Sequence, residues 1–174
     1  MLTADPGVRW IAGQLVSLVA LGLCVAGFAS RRDDRLFVLL IAANVAFALQ
    51  FALFRSWVAA AVTLLVVLRV VLVRRYYRHR LVMLAILAAT AVVAWPTWQG
   101  WQDAPALAAG LAGTYGMFML RGIAMRLWLA LAASCWILSN ALAGSIGGVT
   151  AESLILVTNL FTVYRLWRDR RRSV

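Results

Sequence analysis

Seven runs of apolar residues, each bounded by charged residues or helix breakers, divide this chain. A transmembrane helix needs about 20 apolar residues, because each residue advances the helix by about 1.5 Å and the hydrocarbon core is about 30 Å thick. The mean hydropathy of +0.89 and the hydrophobic fraction of 64% exceed those of soluble domains. The sequence therefore predicts an all-α integral membrane protein with seven transmembrane helices. The predicted spans are residues 8–29, 36–54, 57–73, 81–95, 104–120, 127–143 and 149–164.

The fourth predicted span is the shortest and ends before Pro96. Its 15 residues reach only about 22 Å at helical rise. A thinner bilayer, or an extension through Trp98, has to supply the remaining length. We include it because the distribution of arginines requires an odd number of spans.

That distribution also predicts the orientation of the chain. All 17 basic residues are arginines, and arginine is enriched in loops that stay in the cytoplasm. The loops after the first, third and fifth spans and the C-terminus together hold fourteen of the 17, whereas the other side holds Arg9 and Arg55. The remaining one, Arg69, lies within the third span. This bias predicts an N-terminus outside and a C-terminus in the cytoplasm.

The net charge of +11 has a membrane explanation. The arginines flank the spans, where they attract anionic lipid headgroups, so we predict membrane lipids and no nucleic acid as partners.

Cys24 and Cys135 have no partner at disulfide or metal spacing and are interpreted as small hydrophobic residues. We predict no cofactor and no metal. No enzyme activity is expected either, since the only histidine, His79, lies in a basic loop and no aspartate lies in the middle of a span.

Two halves of the chain share a spacing of charges. Arg35 and Arg74 bracket the second and third spans at a separation of 39 residues, and Arg126 and Arg165 bracket the sixth and seventh at the same separation. The sequence therefore predicts one membrane domain, 1–174, made of two parallel three-helix repeats and a linker helix. The repeats are 8–74 and 104–168, the linker helix is 81–101, and a basic tail covers 169–174. Parallel repeats are one architecture of secondary transporters, with the substrate site between the halves.

The second half also carries a family resemblance. The segment TWQGW near Thr97 precedes a single-span gap and the run RLWLALAASCWILSNALAGSIGGVTAESLILVTNLFTVYR, from Arg126 to Arg165. This pattern resembles the YgjV family of bacterial inner-membrane proteins, which implies a bacterial inner-membrane location. The order of three, one and three spans is similar to that of SWEET and PQ-loop transporters. The chain departs from them in lacking a Pro-Gln pair in spans one and five, so the resemblance does not imply a sugar substrate.

Two charged side chains inside spans are the main candidates for function, because burying a charge in hydrocarbon requires about 3 kcal/mol on insertion scales. Arg69 either snorkels to the cytoplasmic interface or turns inward as a donor for a carboxylate or phosphate. Glu152 either stabilises the first turn of the seventh helix, or faces a cavity and couples transport to protons.

Amides and a tryptophan complete the candidate site. Asn159 lies at the depth of Arg69 in the other half, and the SWEET resemblance implies that it helps to hold substrate. Asn140, Trp136 and Gln50 are predicted to contribute to the same site, although hydrogen bonds between helices explain most amides in spans. Glycines at 110, 113 and 116 indicate close helix approach. Trp136 lies four residues before Asn140 and therefore on the same helix face.

The sequence as a whole predicts a transporter that works by alternating access between the two halves. Its predicted substrate is a small polar metabolite, and the inward orientation of Arg69 would favour an anion. The alternative is an inner-membrane scaffold or lipid-binding protein that transports nothing. Assembly into a homo-oligomer is left open.

Overall fold

The computed structural model describes residues 6–29 and 33–172, and these residues contain seven α-helices and no strand. The helices are α1 (Pro6–Ala29), α2 (Asp33–Leu53), α3 (Trp57–Arg75), α4 (Arg80–Thr97), α5 (Ala104–Met119), α6 (Gly122–Ala143) and α7 (Ile146–Arg172). A short 3-10 turn, Trp101–Asp103, precedes α5. The prediction of an all-α chain is confirmed, and each predicted span lies on one helix.

Several boundaries differ from the prediction: α6 begins five residues early, at Gly122, and α4 ends at Thr97, four residues before the predicted end of the linker helix at 101. Helix α7 begins three residues early, at Ile146, and continues to Arg172, so most of the predicted tail 169–174 is helical and residues 173–174 lie outside the described chain. Helix α4 continues past Pro96 to Thr97. A proline in the last turn removes only one helical hydrogen bond, which the helix tolerates. Arg31 and Arg32, on which part of the charge bias rests, lie outside the described residues.

Five of the described helices, α1, α3, α4, α6 and α7, are long and apolar enough to cross a membrane. The apolar part of α2, Val38–Leu53, and the 16 residues of α5 are shorter. Large apolar side chains cover the outer surface, for example Leu81 and Val92. This distribution is typical of helices that face lipid, because lipid tails are as apolar as the side chains.

The helices pack in a ring. Helix α1 contacts α2, α2 contacts α3, α3 contacts α5, α5 contacts α6, α6 contacts α7, and α7 contacts α1, while α4 packs against α3 and α5. The glycines of α5 allow two of these contacts, as predicted. A Cβ atom at Gly110 would meet Val62 Cγ1 of α3 at 2.7 Å, and one at Gly116 would meet Trp128 Cβ of α6 at 2.8 Å.

Candidate functional site

A cavity of about 200 Å³ lies between α2, α3, α6 and α7. Its polar lining residues are Asn44, Thr63, Arg69, Asn140, Glu152 and Asn159, and its apolar walls include Phe47, Phe51 and Trp136. The structure therefore brings together five of the six residues predicted from the sequence: Arg69, Asn159, Asn140, Trp136 and Glu152. The sixth, Gln50, lies behind the cavity and contacts Asn140.

Arg69 is buried, with 6% of its surface exposed, and reaches across to α5. Its Nη1 donates to the carbonyl oxygen of Gly110 at 3.2 Å and to Oγ1 of Thr114 at 3.4 Å. Gly113 makes room for the guanidinium, because a Cβ atom there would meet Nη1 at 2.5 Å and Cζ at 3.0 Å. The alternative in which Arg69 snorkels to the interface is therefore wrong.

One donor of Arg69 remains unsatisfied. Its Nε is buried and has no hydrogen-bond partner among the described residues. A buried donor without a partner retains the full desolvation penalty, which is about 1–3 kcal/mol and larger for a charged group. Such a group is rare in folded proteins and indicates a missing acceptor.

Glu152 lies in the second turn of α7, because the helix begins at Ile146. The interpretation of Glu152 as a first-turn carboxylate is therefore wrong. Among the described residues, its carboxylate has no hydrogen-bond donor and no ion-pair partner. Ser145, the residue before the helix, caps its first turn instead: its Oγ accepts from the N–H of Gly148 at 3.0 Å.

Asn159 lines the cavity from α7, and Asn44 lines it from α2. The Nδ2 of Asn44 donates to the carbonyl oxygen of Leu40 at 2.8 Å. The Oδ1 of Asn44 accepts no hydrogen bond from the described residues. Asn44 was not among the site residues predicted from the sequence. Its depth alone gave no indication that it faces the same space as Arg69.

Gln50, Asn140 and Ser145 form a buried polar network beside the cavity, with 0%, 2% and 1% of their surfaces exposed. Nε2 of Gln50 donates to Oδ1 of Asn140 at 2.8 Å, and Oγ of Ser145 donates to Oε1 of Gln50 at 2.9 Å. Nδ2 of Asn140 donates to the carbonyl oxygen of Trp136 at 3.0 Å. These bonds join α2 to the turn between α6 and α7, so Gln50 positions the wall of the cavity.

Trp136 and Phe51 form the apolar side of the cavity. Their ring centroids are 5.8 Å apart with an interplanar angle of 31°. Trp136 is 9% exposed and packs with Val58 and Ala106 in the larger of the two core clusters. Because the ring is held by the core, it presents a fixed apolar surface to the cavity.

Helix α1 braces the turn between α6 and α7, which the sequence did not predict. Nε2 of Gln14 donates to the carbonyl oxygen of Gly144, and the N–H of Ile146 donates to Oε1 of Gln14 at 3.2 Å. Gly144 adopts a left-handed conformation, with φ of 75°, which favours glycine because a side chain is strained there. The amide NH2 and the amide oxygen of Gln14 thus both bond to the two-residue turn between α6 and α7 or to the first residue after it.

A second space, the α1–α7 groove, has a volume of about 570 Å³. It is lined by Leu21, Cys24, Val25, Arg126, Ala151, Leu154, Ile155, Thr158 and Asn159. Arg126, near the beginning of α6, is the charged residue in this set and makes no hydrogen bond or ion pair with the described residues. Ile155 and Asn159 border both the groove and the cavity. In the described chain, no three His, Cys, Asp or Glu side chains come together to form a metal site.

The chain resembles known bacterial membrane proteins. A family model described as "Imp-YgjV: Bacterial inner membrane protein" matches residues 11–170. The inner membrane protein YgjV of Escherichia coli strain K12 is 33% identical over 64 residues, a segment that covers 37% of this chain and 35% of that protein. The match therefore spans about a third of the length of this curated relative. No solved structure matches the chain.

Proposed function

The chain belongs to the Imp-YgjV family of bacterial inner membrane proteins, and we propose that it transports a small polar solute through the cavity between α2, α3, α6 and α7. One observation carries this proposal: two charged side chains and three asparagines line a single cavity inside an apolar bundle. Charged residues within membrane spans usually face a water-filled cavity and mark a substrate or ion pathway. Here they come from both halves of the chain.

The proposed architecture has seven spans in two parallel repeats. Exchanging α1 with α5, α2 with α6, and α3 with α7 converts one set of helix contacts into the other: α1–α2 becomes α5–α6, α2–α3 becomes α6–α7, and α1–α7 becomes α5–α3. This correspondence supports the repeats that the arginine spacing predicts. Each half then supplies two helices to the cavity, so rocking of the halves would open it alternately to the two sides.

In this mechanism Arg69 provides a fixed positive charge and Asn159 provides a hydrogen-bonding amide from the other half. Trp136 closes the apolar wall. Glu152 is the group that would bind and release a proton as the cavity changes sides, because it is the acidic side chain of the described cavity.

Uptake into reconstituted vesicles tests the proposal. Small carboxylates, inorganic phosphate, amino acids and a neutral sugar are supplied separately to vesicles with and without the protein. We expect saturable uptake of one charged or zwitterionic class. If the protein accelerates the uptake of no class above that of protein-free vesicles, the transporter proposal is wrong.

The orientation makes a further prediction. With seven spans and cytoplasmic arginines, the N-terminus lies outside and the C-terminus inside. A fluorescent protein that matures only in the cytoplasm should be bright when fused after Val174, and alkaline phosphatase fused at the same point should be inactive. Fusion within the loop at Gln99 should give the reverse pattern. Activity of both phosphatase fusions would contradict the seven-span arrangement.

A second candidate function, lipid binding, has its own observation in the α1–α7 groove. The groove is apolar along most of its length, and Arg126 contributes a positive charge without a protein partner in the described chain. An acyl chain matches the apolar wall, and an anionic headgroup matches Arg126. This candidate corresponds to the lipid-binding alternative derived from the sequence.

We predict that Arg126→Gln weakens the binding of anionic phospholipid. The variant removes the charge and leaves the apolar wall intact, so the preference for phosphatidylglycerol over phosphatidylcholine should decrease several-fold. Native mass spectrometry of the detergent-purified protein, titrated with each lipid, measures this preference. Arg9→Gln, outside the groove, is the matched control and should change nothing. An equal lipid preference in Arg126→Gln and wild type would contradict the prediction.

A further inference from the structure

The charges in the cavity are balanced. Arg69 and Glu152 are the charged side chains among its described lining residues, and they form no ion pair with each other. Buried charges are normally paired, because an unpaired charge loses its hydration without compensation. The two side chains are therefore placed to pair with charges on a solute that lies between them.

The guanidinium of Arg69 has free donors that suit a carboxylate. Nη1 of Arg69 is occupied by Gly110 and Thr114 of α5. The planar guanidinium places the N–H of Nε and one N–H of Nη2 parallel along its other edge, and this spacing matches the two oxygens of a carboxylate. Nε is the buried donor without a partner among the described residues. Nε itself is not exposed to the cavity, so the guanidinium must turn toward the cavity before a bidentate carboxylate can satisfy this edge.

The carboxylate of Glu152 has free acceptors that suit an ammonium group. An ionised carboxylate has only acceptors, and the described residues donate no hydrogen bond to Glu152. An ammonium group has three donors and a positive charge. A solute with a single negative charge would satisfy Arg69 and leave Glu152 unpaired, which favours a solute that carries both charges.

We propose, on the basis of the transport function above, that the solute is a small zwitterion, an amino acid whose carboxylate binds Arg69 and whose ammonium group binds Glu152. The volume supports a small solute, because about 200 Å³ lies below the range of about 300–1,000 Å³ that is usual for pockets that hold drug-sized ligands. Asn44 and Asn159 line the same cavity and offer amide groups to the solute's remaining polar atoms.

Matched solutes test the proposal. Glycine, β-alanine and γ-aminobutyrate differ in the distance between their charges. Each is compared with the carboxylate that lacks the amine (acetate, propionate, butyrate) and with the amine that lacks the carboxylate (methylamine, ethylamine, propylamine). Affinity is measured by calorimetry on the detergent-purified protein. At least one zwitterion should bind at least tenfold more tightly than both of its analogues.

Two substitutions of Glu152 test whether this residue binds the ammonium group of the solute. Glu152→Gln should weaken zwitterion binding at least tenfold while the carboxylate analogue binds as before or more tightly. Glu152→Asp withdraws the carboxylate by one carbon and should shift the preference toward the longer zwitterion, which a purely structural role would not do. Thermal unfolding and gel filtration of each variant separate a lost ligand contact from a lost fold.

The outcomes separate this proposal from the transporter proposal. If carboxylates bind as tightly as their zwitterions, the zwitterion assignment is wrong and transport of an anion stands. If phosphate or sugar is taken up by vesicles and no amino acid binds, the assignment is likewise wrong. If no compound in either panel binds or crosses, both proposals fail.

Discussion

Arg69→Met is expected to reduce solute affinity at least a hundredfold and to leave the protein as stable as the wild type or more stable. The loss of affinity follows because the solute's carboxylate would face an apolar side chain, and truncating one partner of a buried charge pair costs about 2–5 kcal/mol. Calorimetry with the tightest-binding solute measures the affinity, and thermal unfolding without solute measures the stability.

The stability part of this prediction follows from the partners of Arg69. Oγ1 of Thr114 donates to the carbonyl oxygen of Gly110 at 2.7 Å, so these two groups remain bonded to each other when Arg69 is removed. Methionine fills a similar volume without a charge. Removing Arg69 also removes its buried Nε donor, which has no partner among the described residues, together with the desolvation penalty of about 1–3 kcal/mol for such a donor.

Two control variants make the result specific. Arg69→Lys retains the charge but loses the two-donor edge, so it should bind the solute more weakly than wild type and more tightly than Arg69→Met. Arg126→Met removes an arginine that lines the α1–α7 groove instead of the cavity and should leave solute affinity unchanged. Marked unfolding of Arg69→Met, with full affinity in the folded fraction, would make Arg69 a structural residue.

The sequence predicted the helices and their order well, because apolar runs bounded by arginines depend only on composition along the chain. It also placed Asn159 at the depth of Arg69, since depth in a helix can be counted from the bounding charges at a fixed rise per residue.

The direction of individual side chains could not be predicted in this way. Arg69 turns toward α5 because Gly113 leaves space there, and this contact depends on which helices are neighbours. Glu152 was misread because the start of α7 depends on Ser145, whose hydroxyl serves both the helix and Gln50. Gln50 was assigned to the site, whereas its burial behind Asn140 depends on how α2 is rotated about its axis.

Gln50→Met is expected to destabilise the protein by about 2–5 kcal/mol, the largest effect on stability that we predict for a volume-conserving substitution. Methionine removes the amide NH2 and the amide oxygen, so Oδ1 of Asn140 loses its donor and the O–H of Ser145 loses its acceptor. The Ser145 oxygen still accepts from the N–H of Gly148. Each buried polar group that loses its partner costs about 1–3 kcal/mol. The measurement is the free energy of unfolding of the reconstituted protein in denaturant.

A double variant tests whether the network is the cause. In the double variant Gln50→Met, Asn140→Leu, the acceptor that the first substitution leaves unpaired is also removed. The loss of stability in the double variant should therefore be smaller than the sum of the losses in the two single variants, by about 0.5–3 kcal/mol. Gln102→Met, at an exposed glutamine outside the network, is the matched control and should change stability by less than about 0.5 kcal/mol. Strict additivity would mean that Gln50 and Asn140 act separately. The network would then not be what fixes the α6–α7 turn against α2 and holds Asn140 and Trp136 in the cavity wall.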